Sequence, residues 1–330
     1  MDTAVVKELN KKAIRCQLVK KRQATIQELS TLTQLSVVTV KALLTEMIDK
    51  GEVNEGSFIP SGGGRPSQLF VYNGAYRHAA IIYGHQQENR NSIHVLVVNL
   101  LGECVERKQA YLDDIRVESF CGMLDSAIDA YPGVAAIAFG LPGFEENGVI
   151  IANDYSGIVG GSFMNFYQTR YKRPVIFSND VNAAVKGYSE LHSESACLVG
   201  IYFPRIYMPG AGMVLSGDVY TGSQHFAGEI GHLLPDIDWT KLDYDDGQSA
   251  PDAVSRLLSI YCRVIAPHQF ILYGDFFNED DASLIKRKTE SLLSGQFCVN
   301  VAQSSAFEDD FEHGMTALAL EYLNDNNLLD

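Results

Sequence analysis

Thr25-Ile26-Gln27-Glu28-Leu29-Ser30-Thr31-Leu32-Thr33-Gln34-Leu35-Ser36 is the stretch whose reading decides the fold of the N-terminal part. Thr25 and Glu28 have the form of a capping box, in which the threonine hydroxyl and the glutamate carboxylate satisfy free amides at a helix start. A short helix carrying Ile26, Leu29 and Leu32 follows, and then a tight turn at Thr33–Leu35. Ser36 is a good N-cap for a third helix with Val37, Val40, Leu44, Met47 and Ile48 inward, and Gly51 stands where a left-handed C-cap is wanted. Upstream, Val6, Leu9, Ala13, Ile14 and Leu18 recur at helical spacing and predict a first helix over about residues 3–20. Downstream, Glu52–Ile59 and Gln68–Asn73 read as two strands around the glycine-rich tip Ser61-Gly62-Gly63-Gly64-Arg65-Pro66. Three helices and a two-stranded wing make a winged helix-turn-helix, whose third helix presents its N-terminal residues to base edges in the major groove. Ser36, Val38, Thr39 and Lys41 are the candidate DNA contacts on that helix, and Arg65 is the candidate at the wing. A plain three-helix bundle used for protein contacts is the alternative.

Charge supports the same division. The 330-residue chain carries −15 overall. Residues 1–73 hold 10 Lys and Arg against 7 Asp and Glu, a net of +3, leaving 16 against 34 and a net of −18 for the rest. A basic module on an acidic body fits a partner such as operator DNA that only the head would touch. Hydrophobic residues make up 46% and charged residues 20%, the balance of a globular protein. No apolar run approaches the ~20 residues of a membrane span, and Met1–Asn10 lacks a signal-peptide core, so no membrane and a cytoplasmic setting are expected. The six cysteines stand without a CxxC pair, which favours reduced thiols.

Beyond residue 78 strands alternate with helices, the pattern of an α/β body. Strands are predicted at Ile93–Asn99, Glu103–Tyr111, Val134–Leu141, Val175–Ser178, Ala196–Phe203, Gly212–Ser216, His268–Tyr273 and Phe297–Ala302. Helices are predicted at Val117–Ala130, Val181–Leu191, Asp252–Ile265, Asp280–Leu293 and Glu312–Leu323. Three segments carry chemistry. Gly140-Leu141-Pro142-Gly143 ends an apolar strand, where glycine allows close backbone approach. Asn179-Asp180-Val181-Asn182-Ala183-Ala184 places amide and carboxylate where a strand ends and a helix begins. Ala227-Gly228-Glu229-Ile230-Gly231-His232 sets a carboxylate and an imidazole three apart. Such a mixture of donors and acceptors suits a polyol, because each unpaired buried polar group is costly. Taken singly, Asp180 reads equally as a helix cap and His232 as a satisfied buried histidine.

Through these motifs, with Asn10, Gly63-Gly64-Arg65-Pro66 and Gly314, the chain resembles the ROK family of repressors, open reading frames and sugar kinases, in its repressor branch. That resemblance covers nearly the whole length. It implies a winged helix-turn-helix over residues 1–75 followed by a two-lobed actin/hexokinase-like body over 76–330. It also implies a sugar or sugar phosphate held by Gly143, Asn179, Asp180, Glu229 and His232, and a homodimer or dimer of dimers. In kinases of the family the aspartate matching Asp180 is the general base. The chain departs from the family pattern in three places. Ile81-Ile82-Tyr83-Gly84-His85-Gln86-Gln87 stands where an Asp-x-Gly-Gly-Thr phosphate loop is expected, and Ile206-Tyr207-Met208 where a Gly-Thr-Gly loop is expected. Three zinc-binding cysteines are expected a little downstream of His232, but the next cysteine is Cys262, which stands alone. Phosphoryl transfer depends on those phosphate loops, so no kinase activity, no cofactor and no structural zinc are expected. A sugar kinase with an N-terminal extension, and a body serving only as a dimerisation scaffold, are the competing readings.

Overall fold

The computed structural model describes all residues except 1–2, 61–65, 88–89, 193–195, 276, 278 and 327–330. Arg65 lies outside the described residues. The head is built from α1 (Thr3–Lys21), β1 (Gln23–Thr25), α2 (Ile26–Thr33), α3 (Val37–Asp49), β2 (Val53–Ile59) and β3 (Ser67–Tyr72). The Thr25–Glu28 capping box forms as the sequence predicts, with both reciprocal bonds present. Ser36 caps α3 by accepting from the Thr39 amide at 3.1 Å. The turn between the helices passes through Gln34 in the left-handed region (φ 58°), and Gly51 takes φ +82° after α3. The strand β1 is not legible in its three residues; it exists because β3 pairs with it on one edge and with β2 on the other.

Burial corrects several expectations for the head. Val6, Leu9, Leu32 and Val37 are exposed, while Leu43 is buried beside Val40, Leu44 and Met47. On α1 the inward face carries Lys11 and Arg15 along with Ile14 and Leu18. Arg15 reaches the fully buried Glu52 through two hydrogen bonds of 2.5 and 3.2 Å. A buried charge is tolerable only when paired in this way, so the helical stripe slides one position from its purely apolar reading.

The body holds two sheets of the same strand order. In the first lobe, β4 (His78–Gln87), β5 (Arg90–Asn99) and β6 (Cys104–Leu112) run antiparallel. Next come α4 (Cys121–Ala130), β7 (Val134–Gly140), the hairpin β8 (Phe144–Glu146) and β9 (Val149–Ala152), α5 (Phe163–Tyr171) and β10 (Val175–Ser178). Their sheet order is β10-β7-β4-β5-β6. After α6 (Asp180–His192), the second lobe comprises β11 (Cys197–Tyr202), β12 (Gly210–Leu215), β13 (Asp218–Val219), α7 (Ser249–Val264), β14 (Gln269–Tyr273), α8 (Glu279–Leu292), β15 (Val301–Ser304) and α9 (Phe307–Asp325). The order is β13-β12-β11-β14-β15, with the β11/β14 and β14/β15 pairs parallel like β4/β7 and β7/β10. The last strand falls at Val301–Ser304, not Phe297–Ala302, because it pairs in register with Phe270–Tyr273. The aromatic-rich α5 and the β8–β9 hairpin were not expected.

Between the lobes α6 crosses α9 at two glycines. A Cβ on Gly187 would lie 1.8 Å from the Asp310 carbonyl oxygen, and one on Gly314 1.8 Å from that of Ala183. The two backbones therefore touch directly, and the lobes meet at a fixed crossing. Among the described residues no helix is long and apolar enough to cross a membrane, and all six cysteines are free.

Candidate functional site

The cleft between the lobes is assembled from the ends of β7, β10 and β12. Asn179 is the true N-cap of α6: its side-chain oxygen accepts from the Val181 and Asn182 amides at 2.9 and 3.2 Å. Its Nδ2 donates to the Gly143 carbonyl at 2.9 Å, fastening the first-lobe loop to the start of α6. Gly143 itself sits at φ +82°, and a Cβ there would lie 1.9 Å from the Ala152 carbonyl oxygen, so only glycine allows this approach. Asp180 follows in the first turn, where a carboxylate faces the positive end of the helix dipole, and accepts from the Val181 amide at 2.9 Å. It is therefore not a cap.

Electrostatics isolates Asp180 further. Burial pushes its carboxyl up to about 7, helped by Asp154 and, more weakly, by Glu229. Asp154 is raised by burial, and Glu229 by burial and then by Asp154. Among the described residues none of the three carboxylates is paired with a cation. Clusters of raised carboxyls in a cleft are a mark of ligand or catalytic sites. Asp154 escaped the sequence reading because it lies outside the three motifs; only tertiary folding of the loop after β9 brings it to Asp180.

Glu229 owes its place to Gly228, which takes φ +100° and comes so close to β12 that a Cβ would lie 1.9 Å from the Ala211 carbonyl oxygen. The Ala211 amide donates to the Gly228 carbonyl at 2.9 Å, closing the contact. His232 is exposed and not buried, so its reading as a satisfied core histidine is corrected. The five sugar-site candidates thus fall into two groups. Asp180 and Glu229 feel each other's charge, whereas Gly143 and Asn179 are joined to each other and line a separate junction cavity that Asp180, Glu229 and His232 do not line.

Aromatic and apolar side chains occupy the positions where phosphate loops were sought. Tyr83 stacks on His94 (centroids 4.6 Å), and its hydroxyl donates a hydrogen bond to Glu312 of α9 at 2.5 Å. Arg107 grips the same carboxylate with two bonds of 2.5 and 2.6 Å. Gly84 lies under Tyr155, whose hydroxyl would be 2.8 Å from a Cβ there. Met208 packs on Gly231, where a Cβ would lie 2.8 Å from the methionine Cβ. The segment after His232 is anchored by the fully buried Trp239, 5.6 Å from the Phe203 ring. Tyr244 donates to the Trp239 carbonyl at 3.1 Å, and Arg256 holds Asp236 at 2.7 and 2.8 Å. Among the described residues no cluster of His, Cys, Asp and Glu could hold a metal.

In the head, Val38 is 79% exposed at the start of α3, with Ser36 and Lys41 exposed and Thr39 half-buried. The Ser36 and Thr39 hydroxyls lie 2.8 Å apart and hydrogen-bond to each other.

A winged helix-turn-helix head on a two-lobed body of actin/hexokinase-like architecture defines the class. Residues 90–249 match the model of the ROK family. Among its relatives is a protein named "Putative xylose repressor" from Caldicellulosiruptor sp. strain Rt8B.4, 29% identical over 71% of this chain and 60% of its own length. The N-acetyl-D-glucosamine kinase of Vibrio cholerae is 31% identical over 41% of this chain and 44% of its own. The chain thus spans about 60% of the length of the repressor it matches. In three dimensions it resembles a ROK family transcriptional regulator described as a homolog of the E. coli MLC protein. The TM-score is 0.67 at 13% identity, covering 98% of this chain and 99% of that one. A ROK hexokinase from Thermus thermophilus gives a TM-score of 0.60 at 17% identity, over 74% of this chain and 99% of that one. By sequence, two relatives named as xylose repressors match 69–71% of this chain, and the N-acetyl-D-glucosamine kinase matches 41%.

Proposed function

We propose that this protein is a DNA-binding transcriptional regulator of carbohydrate metabolism, a repressor whose body senses a sugar or sugar phosphate. Residues 1–75 form the DNA-binding unit and 76–330 the sensing and dimerising unit. The observation that carries this reading is the start of α3, where Val38 stands 79% exposed on a rigid helix with Lys41 exposed a turn later. An apolar side chain held out to water in this way suits a thymine methyl, and the lysine suits phosphate or guanine. Ser36, Thr39 and Arg65 complete the contact set. In the body, Asp180 and Glu229, joined by Asp154 and flanked by His232, offer acceptors to sugar hydroxyls, while Gly143 and Asn179 shape the wall. Two heads related by the two-fold axis of a homodimer would meet a pseudo-palindromic operator.

The kinase reading is disfavoured by the side chains in the segments where the resemblance puts phosphate loops. Tyr83, tied to Glu312, and Met208, packed on Gly231, stand where backbone amides and hydroxyls would have to cradle phosphates. The body acts in this reading as a receptor, with Asp180 as a ligand and not as a base.

The test is binding to a duplex selected from a random-sequence pool, followed by fluorescence anisotropy with salt and with D-xylose or N-acetyl-D-glucosamine. Affinity should fall steeply between low and physiological salt. Lys41→Ala should weaken binding on the order of tenfold and flatten the salt slope by about one charge. A flat salt response would sink DNA recognition. Affinity indifferent to every sugar and sugar phosphate tried would leave DNA binding and remove the sensor.

A further inference from the structure

At the meeting of the two lobes and α9 lies a cavity of about 350 Å³. That volume is at the lower end of small-molecule sites, ~300–1,000 Å³. Asn182 reaches it from the first turn of α6. Its side chain is only 7% exposed, and its carboxamide oxygen is buried with no hydrogen-bond partner among the described residues. Leaving such an acceptor unpaired costs on the order of 1–3 kcal/mol, which a ligand donor would recover once a turn of the carboxamide brings the oxygen to the cavity. Thr221 and Tyr322, both hydroxyl-bearing residues, line the same wall.

The charged groups on the lining select against anions. Glu145, Glu321 and Asp325 line the cavity, and no lysine or arginine does. Each carboxylate already faces a cationic or basic neighbour: Glu145 the His225 imidazole at 3.3 Å, Glu321 the Lys186 ammonium at 2.6 Å, and Asp325 the Lys12 ammonium. A phosphate entering here would meet three carboxylates and find no guanidinium or ammonium among the lining groups, the arrangement opposite to an anion site.

We propose that this cavity is a second small-molecule site, taking a neutral polyhydroxylated compound of monosaccharide size. Asn182 and Tyr322 are its chief hydrogen-bonding groups. The site shares Gly143 and Asn179 with the wall proposed for the sensing cleft, but it lies apart from that cleft's acidic cluster, since Asp180, Glu229 and His232 do not line it. Its location also gives it a route to the head. Tyr322 and Asp325 project from the last turns of α9, and Asp325 pairs with Lys12 of α1. This second step, from ligand to head, rests on the proposed regulator reading; the binding itself does not.

Calorimetric titration of the full chain with D-xylose, N-acetyl-D-glucosamine and N-acetyl-D-glucosamine 6-phosphate tests it. Asp180→Asn should retain neutral-sugar binding at this site. Tyr322→Phe and Asn182→Leu should each weaken that binding by about tenfold, as loss of one or two buried hydrogen bonds implies. Tyr322→Phe is the milder change and keeps the test valid if Asn182→Leu does not fold. Sugar binding abolished by Asp180→Asn and untouched by Tyr322→Phe would overturn the second site while sparing the sensing cleft. So would N-acetyl-D-glucosamine 6-phosphate binding to Asp180→Asn as tightly as the neutral sugar does, since the acidic lining should reject it. Absence of heat with every probe would overturn both sites and leave DNA recognition standing.

Discussion

Asp180 shows how a single residue can be read in sequence yet change meaning in the fold. Its motif marks it as a candidate, but its raised carboxyl comes from burial and from Asp154, a residue no motif announces. A carboxyl held in the fold up to about 7 binds a proton that the unfolded chain has already released. Stability is therefore present in acid and is lost as pH rises from the ordinary carboxylate range towards 7. Removing the charge should reverse that loss. Asp180→Asn, which keeps the oxygen that accepts from Val181, should match the parent near pH 4. At pH 8 it should exceed it by on the order of 1–3 kcal/mol. Urea denaturation at both pH values checks this, and equal gains at both would rule out the buried-charge account. Gly143, Asn179, Asp180 and Glu229 could be singled out as candidates because glycines and polar residues at the ends of apolar strands stand out in a sequence. Asp154 and the unpaired oxygen of Asn182 were not, since both properties belong to the packed molecule.

Elements were legible in proportion to how local their causes are. The Thr25–Glu28 box, the Ser36 cap and the Gly51 turn depend on neighbours three or four residues away, and they form as read. By contrast β1 depends on β3, and β15 on its register with β14, so their positions could not be taken from their own residues. The crossing of α6 and α9 belongs to this second kind. Gly187 looks like an ordinary weakness in a helix until its partner is known, and glycine there is in fact required by the Asp310 carbonyl. Gly187→Ala forces backbone apart where the two helices between the lobes cross. It should destabilise by on the order of 3 kcal/mol or more, against the gain of up to ~1 kcal/mol that glycine to alanine gives in an exposed helix. Thermal and urea melts decide it: a neutral or stabilising outcome would mean the helices are not in backbone contact.

At the scale of the whole molecule, the repeated strand order of the two lobes left no trace as a sequence repeat, because topology can be duplicated while side chains diverge. The charge split between head and body was visible, but their junction was not. Ile14, Leu18 and Phe70 of the head share one apolar cluster with Leu100, Ala319 and Leu323 of the body. Two ion pairs flank it, Lys12 with Asp325 and Arg22 with Glu103 at 3.3 Å. Exposed pairs of this kind contribute only ~0–1 kcal/mol each, so the apolar cluster holds the head while the pairs set its angle. The double reversal Lys12→Glu with Arg22→Glu separates these roles. Its melting temperature should shift by no more than a few degrees. Its DNA affinity should drop whatever the mechanism, since a basic head has been made acidic. The informative quantity is therefore the ratio of affinities with and without sugar. In the proposed regulator a coupling free energy of ~1–3 kcal/mol corresponds to a ratio of about 5 to 150. Loss of most of that ratio at nearly unchanged stability is the expected result. A ratio equal to the parent's would mean that the signal bypasses these pairs and passes through the apolar cluster alone.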